Sequence, residues 1–338
     1  MSTPPEEQHP PVGAADNAAR PVAAGRSATL QPGMPVRGIF VVKKKVGREH
    51  ASGGKFLLFQ FSDSTGSING VLWDDADAVE RDVAAGDLVH VEGEVQLYQG
   101  SRQVKVRRIV RADPASFDLS EFLPRSPHDP AEQYARLVAM IGTLQEPSLR
   151  RLCEGLFGDT AFAAAYRTAP AGKGWHHAHL GGLVAHVVAM LEQGELLARQ
   201  HSALDRDLLV AGILLHDLGK VEELVWRSHI EYTDAGRLVG HLVQGCLLVA
   251  RHMDALPEFP AELRLRLLHV IVSHHGSLDR GSPKPPMTLE AMAVHLLDQL
   301  DSQVQAVAQV VERAGAEEGW SEHVKLLDRV FFRGRPRG

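Results

Sequence analysis

Residues 213–220 read Ile213-Leu214-Leu215-His216-Asp217-Leu218-Gly219-Lys220. Three consecutive apolar residues lead into a His-Asp pair, and Gly219 marks the stop of a helix whose periodicity runs over Leu208–Leu218. That helix delivers an imidazole and a carboxylate into an apolar interior. A carboxylate at such depth demands a cation partner, because a buried unpaired charge loses its hydration without recompense. Outward from this stretch, apolar residues recur three and four apart over Leu183–Leu197, Leu238–Met253, Leu263–Val272 and Leu289–Val311. Thr288 is a plausible N-cap, Pro260 a first-turn residue and Gly315 a stop. The spacing predicts an all-helical domain over residues 131–332, followed by a basic tail at 333–338, with no repeat of solenoid period.

The chain has 338 residues, long enough for two cores, and 44% of it is hydrophobic. Thirty-six Lys and Arg against 42 Asp and Glu exclude a chain-wide basic surface but allow a local one. Two cysteines, Cys153 and Cys246, form no Cys-x-x-Cys and support neither a disulfide framework nor a thiolate zinc site. The unusual feature is histidine: of 18, 13 lie between His176 and His295.

Residues 1–33 are rich in Pro, Ala and Gly and contain no Ile, Phe, Tyr or Trp, which predicts a disordered tail. No signal-peptide pattern and no membrane-length apolar run is present, so the expectation is a soluble cytoplasmic protein with no membrane partner. Residues 34–112 carry five β-type segments: Val36–Val42, Phe56–Phe61, Ser67–Trp73, Leu88–Leu97 and Gln103–Val110. Polar turns at Asp63-Ser64-Thr65-Gly66 and Tyr98-Gln99-Gly100-Ser101 join two pairs of them. Five short strands in this length suit a small all-β OB-fold barrel. Residues 113–130, with Pro114, Pro124 and Pro127, read as a linker.

Four of the predicted helices bring metal-ligand residue types: His186, the pair His216-Asp217, His241 and the pair His274-His275. The fifth brings Asp298, with Asp301 one turn later. Imidazole with carboxylate suits divalent transition metals, and the set is large enough for two ions. His186 and His241 lie among apolar residues, where a neutral imidazole is satisfied either by a hydrogen bond or by a metal. His201, His252 and His323 read as ordinary structural histidines.

The ordered strings Trp175-His176-His177 with Gly181-Gly182-Leu183 and His186, Leu215 to Lys220, Val239-Gly240-His241, Ser273-His274-His275-Gly276 and Asp298-Gln299-Leu300-Asp301 resemble the HD superfamily of metal-dependent phosphohydrolases. Together with the preceding barrel, the chain resembles the YhaM-type 3′-to-5′ exoribonucleases over residues 34–312. The resemblance implies hydrolysis of single-stranded RNA, with DNA as a further substrate, and a first metal held by His186, His216, Asp217 and Asp298, Asp217 bridging. His241, His274 and His275 would hold a second ion or contact phosphate. Asp298 matches the terminal aspartate better than Asp301. His177 and Lys220 match phosphate contacts, Lys220 alongside the catalytic pair His216 and Asp217. Manganese is the implied metal, another divalent ion the alternative, and family precedent implies homo-oligomers.

A bound divalent ion would activate water and neutralise the phosphodiester; no serine or cysteine nucleophile with a paired base is evident. The rivals are an HD nucleotidase or cyclic-nucleotide phosphodiesterase, and a non-catalytic nucleic-acid-binding protein with a structural metal. The stretch Gly276 to Pro283 lacks the Gly-Tyr-Pro signature of cyclic-dinucleotide enzymes.

Charge divides between the domains: residues 34–112 hold 12 Lys and Arg against 10 Asp and Glu, a net +2, leaving −8 elsewhere. Lys43, Lys44, Lys45 and Arg48 follow the first strand, and Arg102, Lys105, Arg107 and Arg108 line the fifth. Alternation turns Val104 and Val106 inward and Lys105 and Arg107 outward, a face that could track a phosphate backbone or simply be solvated. Trp73 and Tyr98 are candidate stacking residues, whereas Phe59 and Phe61 share a face with Leu57 and read as core.

Overall fold

The computed structural model describes residues 26–50, 53–174, 177–313, 319–324 and 327–334. The first unit is a closed barrel of β1 (Pro35–Glu49), β2 (Lys55–Asp63), β3 (Gly66–Leu72), β4 (Leu88–Tyr98) and β5 (Ser101–Arg111) in the order β1-β2-β3-β5-β4, with β4 returning to β1. All pairings are antiparallel except β3 with β5, the arrangement of an OB-fold. Alternation along β2 buries Leu57, Phe59 and Phe61 together, so the two phenylalanines are core as expected. A short helix that the pattern did not predict, α1 (Ala76–Asp82), follows β3.

The predicted tail and linker are more ordered than their composition suggests. Residues 1–25 lie outside the described residues, but Ser27 is buried on the barrel, its amide donating to Asp63 Oδ2 at 2.7 Å. Asp63 also accepts from the amides of Thr65 and Gly66, so one turn carboxylate ties down the tail. In residues 113–130 the prolines break regular structure, yet Phe122 packs with Ile39, Val41 and Leu88 of the barrel. Leu123 packs with Leu224 and Ile230 of the second domain. Apolar side chains thus turn a linker into a packed joint.

The second unit contains α2 (Pro130–Ile141), α3 (Pro147–Gly158), α4 (Thr160–Thr168), α5 (Gly182–Gln200), α6 (Arg206–Leu215) and α7 (Lys220–Glu223). After these come β6 (Leu224–Trp226), β7 (Ile230–Tyr232), α8 (Asp234–Leu238), α9 (His241–Asp254), α10 (Ala261–Ser273) and α11 (Leu289–Arg313). The domain is helical as expected, with one addition, the β6–β7 hairpin, too short to leave a periodic signal. Side chains of Asp129, Glu146, Asp159, Asp205 and Thr288 accept first-turn amides and fix where their helices start. The helix expected over Leu238–Met253 is broken at Gly240, whose φ of 78° no right-handed helix accepts, so His241 opens a new helix.

Every residue of α6 from Leu208 to Leu215 is buried, as is α5 from Gly182 to Val188. Helices that are apolar all round belong at the centre of a bundle. His186 and the His216-Asp217 pair are therefore carried to the middle of the core rather than to a surface groove. The predicted tail at 333–338 begins with Arg333, whose amide donates to Gly319 O at 2.8 Å; residues 335–338 lie outside the described ones.

Candidate metal centre and nucleic-acid face

Two helix ends build the floor of the site by the same device. His216 caps α6 and His274 caps α10, and each Nδ1–H donates to the carbonyl three residues back: Ile213 O at 2.8 Å and Ile271 O at 2.7 Å. The last carbonyls of a helix lack helical partners. Since a carbonyl only accepts, each ring is locked with its Nε2 lone pair facing the other way. Both Nε2 atoms are buried without a hydrogen-bond partner, as is Asp217 Oδ1. Asp217 Oδ1 is 3.6 Å from His274 Nε2 and 3.5 Å from His241 Nε2, while Oδ2 is 3.3 Å from His216 Nε2.

The remaining histidines follow the same rule with other acceptors. His186 Nδ1–H donates to Asp301 Oδ2 at 2.6 Å, and its Nε2 lies 3.3 Å from Asp298 Oδ1. One imidazole thus spans two carboxylates a helical turn apart on α11, its Nε2 toward Asp298 and its Nδ1 toward Asp301. His241 Nδ1–H donates to Glu223 Oε1 at 2.9 Å, and the same oxygen accepts the His241 amide at 3.0 Å. His275 Nδ1–H donates to Arg280 O at 2.9 Å. With both Nδ1 positions protonated, the Nε2 atoms of His241 and His275 confront each other at 3.2 Å. Two lone pairs at that distance repel, and the pair requires a cation, a proton or a metal ion, between them.

The electrostatics agree. Burial works to raise the Asp217 carboxyl, but Lys220 and His216 beside it hold it well below the usual range. Burial likewise opposes ionisation of Asp298, and the bond and charge of His186 win. Burial pushes His275 down to about 3, helped by His274 and His241. His186 goes the other way: burial is overcome by the hydrogen bonds to Asp298 and Asp301, and it rises to about 9. Four three-residue groups among the described residues could hold an ion: His186, His216 and Asp298; His216, Asp217 and His274; His241, His274 and His275; and His177, His186 and Asp301. The two phosphate-contact candidates are less open than expected. Lys220 is buried with Nζ 2.7 Å from Asp217 Oδ2, and buried His177 has its Nε2 engaged by Asp301 Oδ2 at 2.9 Å. His176 and Trp175 lie outside the described residues. Glu223, which orients His241, was missed: it is 18 residues from its partner, and nothing in Lys220-Val221-Glu222-Glu223 marks it.

A glycine holds the centre together. A Cβ on Gly219 would meet His241 O at 2.1 Å and Gly245 N at 2.7 Å, so only glycine lets α9 approach closely enough for His241 to reach Asp217.

On the barrel, Val104 and Val106 are buried and Lys105 exposed, as alternation requires. A bulge at Arg107 then turns both Arg107 and Arg108 outward. The basic face is diluted, because β4 sets Glu94 opposite Lys105 and Glu92 opposite Arg108, and Arg107 pairs with Glu94 at 2.7 Å. The fifth strand is thus a ladder of mixed charge. Lys43, at the irregularity in β1, and Lys44 are exposed. Trp73 is 40% exposed and stacks on Phe56 with ring centroids 4.6 Å apart, with His50 at 4.7 Å; sequence reading overlooked both neighbours. Tyr98 is exposed at the β4–β5 turn.

Comparison with known proteins adds the lineage. Residues 183–303 match the HD domain family, and residues 37–111 match a family described as an OB-fold nucleic acid binding domain. The barrel is similar to the second OB-fold domain of replication protein A from Methanococcus maripaludis (25% identity, 24% of this chain and 87% of that one, TM-score 0.21). It is also similar to a small single-stranded DNA-binding protein from Streptomyces coelicolor (18% identity, 26% and 98%, TM-score 0.22). Across both domains, the chain is 34% identical over 295 residues to the 3′-5′ exoribonuclease YhaM of Bacillus velezensis, covering 87% of this chain and 93% of that protein. With barrel, helical domain and nearly the whole of that relative's length matched, this chain belongs to the YhaM family of 3′-5′ exoribonucleases.

Proposed function

We propose that this protein is a metal-dependent exoribonuclease that shortens single-stranded RNA from the 3′ end, the barrel holding the strand and the helical domain hydrolysing the terminal phosphodiester. The observation that carries the reading is the convergence of unpartnered, buried Nε2 atoms on Asp217, beside a His241–His275 pair that needs a cation. His186, His216, Asp217 and Asp298 would hold one ion, and His241, His274 and His275, beside Asp217, would hold a second. Manganese is the proposed metal, since mixed imidazole and carboxylate sites accept it. When bound, such ions activate water at neutral pH and neutralise charge on the phosphodiester oxygens.

The chain's own residues prepare this chemistry. Backbone carbonyls and the carboxylates of Glu223 and Asp301 fix every ligating imidazole before any ion arrives, which is the usual division between ligands and the groups that orient them. Lys220 balances the charge of Asp217; an ammonium has three donors, Asp217 accepts one, and the others are the proposed phosphate contact. The geometry favours a positioning role for His177, through Asp301, over a phosphate contact. No helix among the described residues is long and apolar enough to cross a membrane, and a cytoplasmic location is part of this reading. So is assembly of copies, for which Leu289, Met292, Leu296, Leu300 and Val304 supply an exposed apolar stripe on α11.

Purified protein with manganese and 5′-labelled single-stranded RNA is expected to produce a ladder shortening from the 3′ end, abolished by chelator. Hydrolysis confined to mononucleotides or cyclic dinucleotides would overturn the exonuclease reading while leaving a phosphohydrolase. On the barrel, Trp73→Ala should weaken RNA binding about tenfold, the effect of one lost base stack. Lys105→Ala with Arg107→Ala should cost under about threefold and flatten the salt dependence slightly, because Glu94 already neutralises that face. Titrations by fluorescence anisotropy at two salt concentrations decide; a larger loss for the basic pair would restore β5 as the main contact.

A further inference from the structure

The unexpected β6–β7 hairpin lies between two parts of the metal centre. It follows α7, which contributes Lys220 and Glu223, and it leads through α8 into His241. Its strand end is fastened to the centre: the Thr233 amide donates to Glu223 O at 2.9 Å. Its turn touches the barrel, where Ser228 Oγ donates to Gly86 O at 2.9 Å and His229 packs against Gly86. Gly86 is in turn bonded to Val42, the neighbour of Lys43.

Along this bridge, Tyr232 is 39% exposed. Lys173 Nζ and the Arg237 guanidinium lie 5.8 and 5.9 Å from the centre of its ring. Glu231 clamps both cations, at 2.7 Å to Lys173 and 2.9 Å to Arg237, so they are held in place and together still carry one net positive charge over that carboxylate. Lys173 precedes His177 by four residues and Arg237 precedes His241 by four. Four residues reach at most ~14 Å, no more than about four stacked nucleotides at ~3.4 Å each. The cluster is more open at His275 and Asp298, which are less buried than His186, His216 or His274, and His275 lies 3.2 Å from His241, the residue four positions after Arg237. Burial lowers the pKa of His229 at this joint, Glu231 opposes the shift, and Lys173 from the helical domain and Lys43 from the barrel add to it, so cations of both domains act on one imidazole.

We propose that this hairpin is the RNA-guiding rim of the nuclease, with Tyr232 stacking on a base near the 3′ end and Lys173 and Arg237 holding the adjoining phosphates. An aromatic face with fixed cations suits single-stranded nucleic acid of any sequence. The inference rests on the exoribonuclease reading above, and the test separates the two by using a second substrate, bis(p-nitrophenyl) phosphate, too small to span rim and metal centre.

In the manganese-loaded full chain, Tyr232→Ala should raise KM for a 5′-labelled oligoribonucleotide about tenfold with kcat within twofold. Lys173→Ala with Arg237→Ala should raise it similarly and reduce the salt dependence of KM, and Tyr232→Phe should behave as wild type. Hydrolysis of the small diester should be unchanged in all three. An unaltered oligoribonucleotide KM in both Tyr232→Ala and the double variant overturns the rim. A parallel loss on both substrates overturns it too, by assigning the hairpin to support of His241. Failure of the wild type on RNA, with the small diester still cleaved, would instead overturn the exoribonuclease reading.

Discussion

Asp217→Asn should lower the rate of phosphodiester hydrolysis at least about a thousandfold. Asparagine keeps the shape but removes the one carboxylate that three imidazole Nε2 atoms, those of His216, His241 and His274, approach within 3.6 Å. Charge stabilisation by bound ions is worth several kcal/mol in the transition state, and each ~1.4 kcal/mol is a factor of ten. The substitution also strands Lys220, whose side chain is almost fully buried with Asp217 as its counter-ion. Removing one partner of a buried pair costs about 3–5 kcal/mol, so lost activity could be mistaken for lost fold. Asp217→Asn combined with Lys220→Met separates them: stability should largely return while activity and stoichiometric metal binding stay absent. Steady-state kinetics, thermal unfolding and metal analysis of the purified variants supply the check. A single variant retaining more than a tenth of wild-type kcat would remove Asp217 from the centre of the mechanism.

The second large effect is on stability. Manganese added to metal-free protein at about a thousand times its dissociation constant should stabilise the helical domain by about 4 kcal/mol. At this size that raises its melting temperature by on the order of 10 °C. The barrel supplies no ligand and should gain only what the packed joint transmits. The gain depends on pH with a definite sign. His186, raised to about 9 in the metal-free protein, must give up its Nε2 proton to a metal, so manganese affinity should grow as pH rises toward 9.

Without metal the same two histidines act in opposite windows. His275, depressed to about 3, stays neutral when folded while the unfolded imidazole protonates below ~6.5. Its contribution is therefore present above ~6.5 and lost as pH falls toward 3. His186 contributes fully below ~6.5, and that contribution is lost as pH rises through 9. Metal-free protein should thus be most stable near neutrality, and manganese should extend the stable range upward. Calorimetry from about two pH units below neutrality to about two above it, with and without manganese, tests this. A melting temperature indifferent to manganese throughout would mean that these ligands do not bind it.

Much of this was already legible in order and spacing. The β pattern of residues 34–112 determined five strands in a barrel, because alternation and turn residues are local properties. The apolar runs around His186 and Ile213-Leu214-Leu215-His216-Asp217 determined that these residues are buried in helices, and the ordered strings identified the family. The sequence by itself could not choose between Asp298 and Asp301, since both lie on one face of α11. Only the tertiary structure shows that the ring of His186 turns a different nitrogen to each, Nε2 to Asp298 and Nδ1 to Asp301. Nor could it find Glu223, the His50–Phe56–Trp73 stack, the packed joint at Phe122 and Leu123, or the β6–β7 hairpin. Each depends on contacts between segments far apart in the chain, or on an element too short for its period to register. Glu94 shows the same limit from the other side: the outward charge of β5 was predictable, but the carboxylates facing it belong to another strand. Local periodicity decides what a segment becomes; only the closing of one segment on another decides which imidazole nitrogen, carboxylate oxygen or cation it meets.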